Sequence, residues 1–198
     1  MVMLIHRYGR EMISDNNSKN NKRGRVVIRR MEIDDVSQVY HLGEELFTSD
    51  EFPVLYRTWD ASEVTDYFSS DPEYCLVAEF EDRIVGFILG TIVEKDGTAW
   101  KKYGYLTWIG VEEEFQRKNL GFRLYRRLEE KYIEAGVRMI IADTEADNKK
   151  AIAFFKNAGF SQTSRYIWLA KTLHRPAKKR SIKKLPETPP DGQLSTSE

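Results

Sequence analysis

Apolar and polar positions along the chain fall into segments of two periods. Val26 to Arg30 is a short β-branched run and predicts a first strand. Asp34 can cap a helix whose apolar positions, Val36, Val39, Tyr40, Leu42 and Leu46, keep near-helical spacing. The stretch SDEFPVLYRTW has no clear period, and Asp60 or Ser62 then starts a second short helix through Phe68. Tyr74 to Phe80 and Ile84–Glu94 predict two strands joined through the tight turn EDR, a hairpin. Tyr103 to Val111 predicts another strand, with Gly104 and Gly110 inside it, where glycine marks a bulge or a close approach of backbone. Leu120, Leu124, Leu128 and Tyr132 recur every four residues and form the buried stripe of a helix that Gly136 ends. Arg138 to Thr144 predicts a strand, and Asn148 to Asn157 a helix closed by Ala158-Gly159. Phe160–Ser164 and Tyr166–Leu173 predict two final strands. This order predicts one mixed central β-sheet with helices on both faces, an α/β (α+β) fold.

The ends break the pattern. Residues 1–24 contain the polar run SDNNSKNNKRG, and residues 174–198 begin basic and end rich in proline, serine and acid. Neither carries the apolar surface that offsets the entropy of ordering, so both are expected to be disordered tails around a domain at 25–173. The basic part, 175–184, is either a solvated tail or a contact for an acidic partner or RNA; elsewhere nucleic acid is not expected. The charge balance supports that expectation, with Lys plus Arg 31 against Asp plus Glu 31. A single cysteine, Cys75, and three scattered histidines (His6, His41 and His174) suggest no disulfide and no metal site. No apolar run approaches the roughly 20 residues of a membrane span, and the opening MVMLI is too short for the core of a secretory signal. A cytoplasmic protein, monomer or dimer, is expected.

Candidate chemistry enters at residues 116–130, QRKNLGFRLYRRLEE. Polar residues and a glycine stand where a helix begins, although a helix start favours a cap and good helix formers. Helix N-termini leave their first N–H groups unpaired and carry partial positive charge, and glycine lets an anion approach them. Arg117 and Lys118 add charge, so the segment reads as an anion site; alternatively, Gly121 only permits close helix–sheet packing.

A second stretch, DNKKAIAFFKNAGF at 147–160, comes in the right order and at the right distance. Together the two resemble the GNAT superfamily of acyl-CoA-dependent N-acetyltransferases over about residues 26–173. The family's phosphate loop, Q/R-x-x-G-x-G/A, is matched by Gln116-Arg117-Lys118-Asn119-Leu120-Gly121. Its downstream pattern, roughly N-x-x-A-x-x-F-Y-x-x-x-G-F, is matched by Asn148, Ala151, Phe154, Phe155, Gly159 and Phe160. The resemblance implies a GNAT fold and acetyl-CoA as co-substrate, without a metal. It implies a coenzyme site of Ile109, Gly110 and Val111, the loop 116–121 with Phe122, Asn148 and Phe155. Two positions depart from the pattern. Asn119 replaces the first glycine, and asparagine is the next most tolerant residue of left-handed backbone. Phe155 stands where many members carry a tyrosine that protonates the leaving thiolate.

The resemblance also assigns the proton chemistry. Asp143, five residues before Asn148, matches a glutamate that accepts the amine proton in the ribosomal-protein-alanine type of member; its competing role is a strand hydrogen bond near Thr144 or Arg138. Tyr105 matches a tyrosine that some N-terminal acetyltransferases use through a water, and its alternative is strand packing. Glu112, Glu113 and Glu114 are further acceptors, or a solvated charge run. Phe52-Pro53-Val54-Leu55-Tyr56 is similar to a segment that receives the first residue of a peptide in some of those enzymes; these residues could instead cap the core. Tyr166 is the nearest match to a tyrosine-bearing closing loop. The acceptor implied is a protein or peptide α-amine, or else a small amine or lysine side chain; a binding module that keeps the coenzyme without turnover is the third reading.

Overall fold

A computed structural model describes residues 24–47, 59–97, 101–165, 167, 169 and 171. The predicted tails, apart from Gly24, and the acceptor segment Phe52, Pro53, Val54 and Tyr56 lie outside the described residues, as does Tyr166. The described residues through Thr163 form one compact unit. Of the second, Ser164, Arg165, Ile167, Leu169 and Lys171 are described and carry no regular secondary structure.

The first unit is built from β1 (Val27–Arg30), α1 (Val36–Leu46), α2 (Ala61–Ser70), β2 (Cys75–Phe80), β3 (Arg83–Glu94) and β4 (Lys102–Val111). A four-residue α3 (Glu113–Gln116), α4 (Leu120–Glu134), β5 (Ile140–Ala142) and α5 (Lys149–Asn157) complete it. The strands lie in chain order in one sheet, antiparallel from β1 to β4, with β5 parallel to β4. This is the mixed sheet expected. Two expectations are corrected. Residues 160–165 form no strand: the run SQTSR is polar and exposed, with no apolar face to bury. The start of α1 is not capped by Asp34; a 3-10 turn, Ile33–Asp35, precedes it, and the Asp35 carboxylate accepts from the Glu32 N–H at 2.7 Å. At α2 the cap is Asp60, whose side chain accepts from the N–H groups of Ser62 and Glu63. The β2–β3 turn places Glu81 and Asp82 at φ 51° and 63°, the left-handed pair that a two-residue hairpin needs.

Each face of the sheet carries its own core. Cys75, Val77, Ile84, Phe87 and Leu89 pack with Val39, Leu42, Trp59 and Val64 on the α1/α2 side. Leu76, Ala78, Val85 and Ile88 pack with the Leu120, Leu124, Leu128 and Tyr132 stripe of α4 on the other. β4 breaks the alternation. Leu89 pairs with Trp108 but Gly90 pairs with Leu106, so Thr107 is an extra residue, a bulge. Its hydroxyl donates to the Leu89 carbonyl at 2.9 Å. The bulge inverts the parity of the strand beyond it: Leu106 and Ile109 share the α4 side, while Trp108 turns to α1 and α2. There its indole N–H donates to Glu63 Oε2 at 2.6 Å. Neither glycine of β4 marks the bulge; both mark close approach, Gly104 beneath the Tyr132 ring and Gly110 beneath Leu46 and Phe87.

Candidate active site

The pairing of β4 with β5 stops at the bulge. The parallel ladder covers only Gly104–Leu106 of β4. Beyond it, the Glu112 N–H donates to the Val85 carbonyl at 3.0 Å. In an antiparallel ladder alternate residues turn their backbone groups to the partner, so Gly110 also faces β3 while Ile109 and Val111 face the opened side. The Val111 carbonyl on that side accepts from Gln116 Nε2 at 2.8 Å, which ties the loop after β4 to the strand end.

Below this opening α4 begins. Asn119 holds φ 61°, ψ 24°, the left-handed geometry for which asparagine suits, and its side chain makes no cap hydrogen bond. The first N–H groups of a 15-residue helix therefore stand uncapped by a side chain at its positive end. Val111, Gln116, Asn119, Gly121, Phe122 and Phe154 enclose a pocket of about 70 Å³ there. Arg117 and Lys118 are exposed on the loop, with Lys118 Nζ 4.5 Å from the centre of the Phe115 ring.

Gly121 is the informative residue. It lies in the first turn of the helix, not among the residues of positive φ. A Cβ there would lie 3.6 Å from Phe154 and farther from Val111 and Ile109, ordinary contacts. Neither backbone geometry nor packing within the protein requires glycine, which costs about 1 kcal/mol in a helix relative to alanine. Close packing therefore does not require the glycine, and Gly121 lines the pocket at the helix N-terminus.

Asn148 is engaged locally, its Oδ1 accepting from the Ala151 N–H at 3.0 Å to cap α5. Phe155 is 7 % exposed and packs in the core, 4.9 Å from the Phe160 ring. The ring at the pocket is that of Phe154. The spacing of four between Ala151 and Phe155 was the available signal, since both lie on the buried stripe of α5 and put Phe154 beside it.

Asp143 and Tyr105 are a pair. The Tyr105 hydroxyl donates to Asp143 Oδ1, both residues being half-buried, with Asp143 one residue past β5. They lie 38 positions apart in the chain, and the parallel pairing of Tyr105 with Ile141 brings them together. Glu145, two residues on, has its carboxyl pushed up by burial and by the charge of Asp147. Glu112 is half-buried in an ion pair with Arg83, and burial raises its carboxyl against that partner's pull; Glu113 and Glu114 are exposed. Among the described residues no group of three or more His, Cys, Asp or Glu could hold a metal ion, and no helix is long and apolar enough to cross a membrane.

The model of the acetyltransferase (GNAT) family matches residues 38–160. The chain is 27 % identical over 132 residues to acetyltransferase SG1711 of Sodalis glossinidius (strain morsitans), covering 66 % of this chain and 88 % of that one. It is 29 % identical over 94 residues to N-alpha-acetyltransferase 30 of Dictyostelium discoideum, 48 % of this chain and 49 % of that relative. Among solved structures, the aminoglycoside N-acetyltransferase AAC(6')-Iy in complex with CoA superposes with a TM-score of 0.61 at 19 % identity, covering 78 % of this chain and all of that one. At that identity the likeness concerns the fold.

Proposed function

The chain belongs to the GNAT acetyltransferase family, and from that premise we propose that it transfers the acetyl group of acetyl-CoA to the α-amine of a protein or peptide N-terminus. Acetyl-CoA supplies the acyl group as a thioester. The observation that carries the coenzyme assignment is Gly121, a helix glycine that the protein's own packing does not require, in a pocket at an uncapped helix start. The pyrophosphate binds at the N–H groups following Asn119, with Arg117 and Lys118 adding positive charge. Ile109 and Val111 pair with the pantetheine arm through their outward backbone groups, and these N–H groups polarise the thioester carbonyl. Asp143 takes the proton of the attacking amine, directly or through a water, while Tyr105 donates to its carboxylate. The amine nitrogen bonds to the acetyl carbon and the carbon–sulfur bond breaks. The thiolate leaves without a tyrosine at position 155, and a thiol pKa of about 8.5 makes it a fair leaving group unaided.

Proton chemistry favours an α-amine. Its pKa lies near 7.7–8.0, against about 10.4 for lysine, so at neutral pH roughly a tenth is already neutral, against less than about a thousandth of a lysine. A carboxylate base with reference pKa near 3.9 suits the less basic acceptor. A relative bearing the name N-alpha-acetyltransferase 30 supports the same choice. The test is acetyl-CoA turnover against N-terminal peptides, N-terminally blocked lysine peptides, polyamines and aminoglycosides. Unblocked peptides are expected to give the highest kcat/KM. Faster turnover of a blocked lysine peptide or a small amine overturns the acceptor, and coenzyme binding without turnover of any acceptor overturns the enzyme.

A further inference from the structure

Tyr132 closes the α4 stripe that Leu120, Leu124 and Leu128 begin, and like them it is buried, at 0 % exposure. Leucine at the fourth position would continue that stripe; the phenol does something more. Its ring occupies a slot in the sheet. A Cβ on Gly104 would fall 2.6 Å from two ring carbons, and one on Gly90 would fall 2.1 Å from the hydroxyl oxygen. The hydroxyl donates to two main-chain carbonyls, Tyr105 at 3.0 Å and Thr91 at 3.1 Å, sharing its proton between them. These residues are cross-strand partners beside the register shift at Leu89/Gly90. Burial raises the Tyr132 phenol well above the usual tyrosine value, so it remains a donor across the working pH range.

We propose that Tyr132 is a positioning residue for acetyl transfer: by holding the main-chain carbonyl of Tyr105 next to the bulge, it sets the Tyr105 phenol against Asp143 and so orients the proton acceptor. The inference rests on the assignment of Asp143 as that acceptor. One hydroxyl pins a backbone, and the next hydroxyl along pins a carboxylate.

Tyr132→Phe removes one oxygen and keeps the ring in its slot. Two readouts are taken. The first is NMR of protein carrying tyrosine labelled at Cζ, with the Tyr105 signal assigned by its loss in Tyr105→Phe. In Tyr132→Phe that signal is expected to move toward its position in Asp143→Asn. The second is kinetic: kcat falls about ten-fold, the KM for acetyl-CoA stays within about two-fold, and Tyr132→Phe costs nothing further in an Asp143→Asn background. An unmoved Tyr105 signal, or the same loss of kcat in both backgrounds, overturns the inference. A moved signal with Asp143→Asn turning over like the parent supports the positioning of Tyr105 and overturns the assignment of Asp143. Gly90→Ala, whose methyl must displace the hydroxyl while leaving its proton, repeats both measurements should Tyr132→Phe fail to fold.

Discussion

At the scale of single residues, Gly121 and Asp143 make opposite demands on experiment. Gly121→Ala removes the backbone freedom of glycine from a helix and meets only ordinary contacts. It is expected to raise the melting stability of the free protein by about 0.5–1 kcal/mol. Gly121→Glu puts a bulky like charge at the proposed pyrophosphate site. Acetyl-CoA at about 100 times its dissociation constant is expected to add roughly 2.7 kcal/mol to the parent protein, and nothing to Gly121→Glu. An unchanged parent melting temperature with saturating acetyl-CoA would sink the coenzyme assignment. Asp143→Asn keeps the shape and removes the basicity. It is expected to lower kcat about ten-fold or more at pH 7, with the deficit shrinking at high pH as the amine loses its proton unaided. Coincident pH–rate profiles for the two proteins would make Asp143 structural. The sequence singles out both residues, through the loop pattern and through the offset from Asn148, and these measurements decide their roles. The bond between Tyr105 and Asp143 was not legible there, because it joins side chains 38 positions apart across a parallel ladder.

At the scale of elements, the long periodic segments were legible and the short irregular ones were not. The α4 stripe and the β2–β3 hairpin carry enough repeats to declare their period. The four-residue α3 completes barely one turn, too little for any period to show. The bulge at Thr107 was hidden for another reason: it is a single extra residue in an apolar run, and glycines elsewhere in the strand drew the expectation. Gly104 tests what that strand does require. Gly104→Ala sets a methyl 2.6 Å from two carbons of a ring with no room to withdraw. It is expected to cost about 1–3 kcal/mol in denaturant unfolding, with an unchanged m-value. A neutral result would show that α4 can lift from the sheet without penalty.

At the scale of the whole molecule, the N-terminal edge of the sheet ties stability to acid. Asp35 is 5 % exposed and accepts two hydrogen bonds from Arg29, at 2.6 and 2.8 Å. Burial acts to raise its carboxyl, but the hydrogen bonds from Arg29 and the Glu32 N–H, with the charge of Arg29, bring it below the ordinary value. A depressed folded pKa contributes stability that is present above the unfolded value near 3.9 and is lost as pH falls through the folded one. Asp35→Asn is therefore expected to be less stable than the parent at pH 7, with the gap narrowing as pH falls below the unfolded value; a gap that does not change with pH would mean that shape, not charge, is at stake. The sheet itself divides the described part of the first unit into two cores, one on each face. β3 has a neighbour on either side and a core above and below, whereas β1 and β5 are the first and last strands of the order. Amide protons of Val85 to Leu89 should then exchange with solvent deuterium only when the whole unit unfolds, while those of Ile140 to Ala142 exchange through local opening. The strand that leads into Asp143 would be the first to breathe, against a central strand that reports the global free energy.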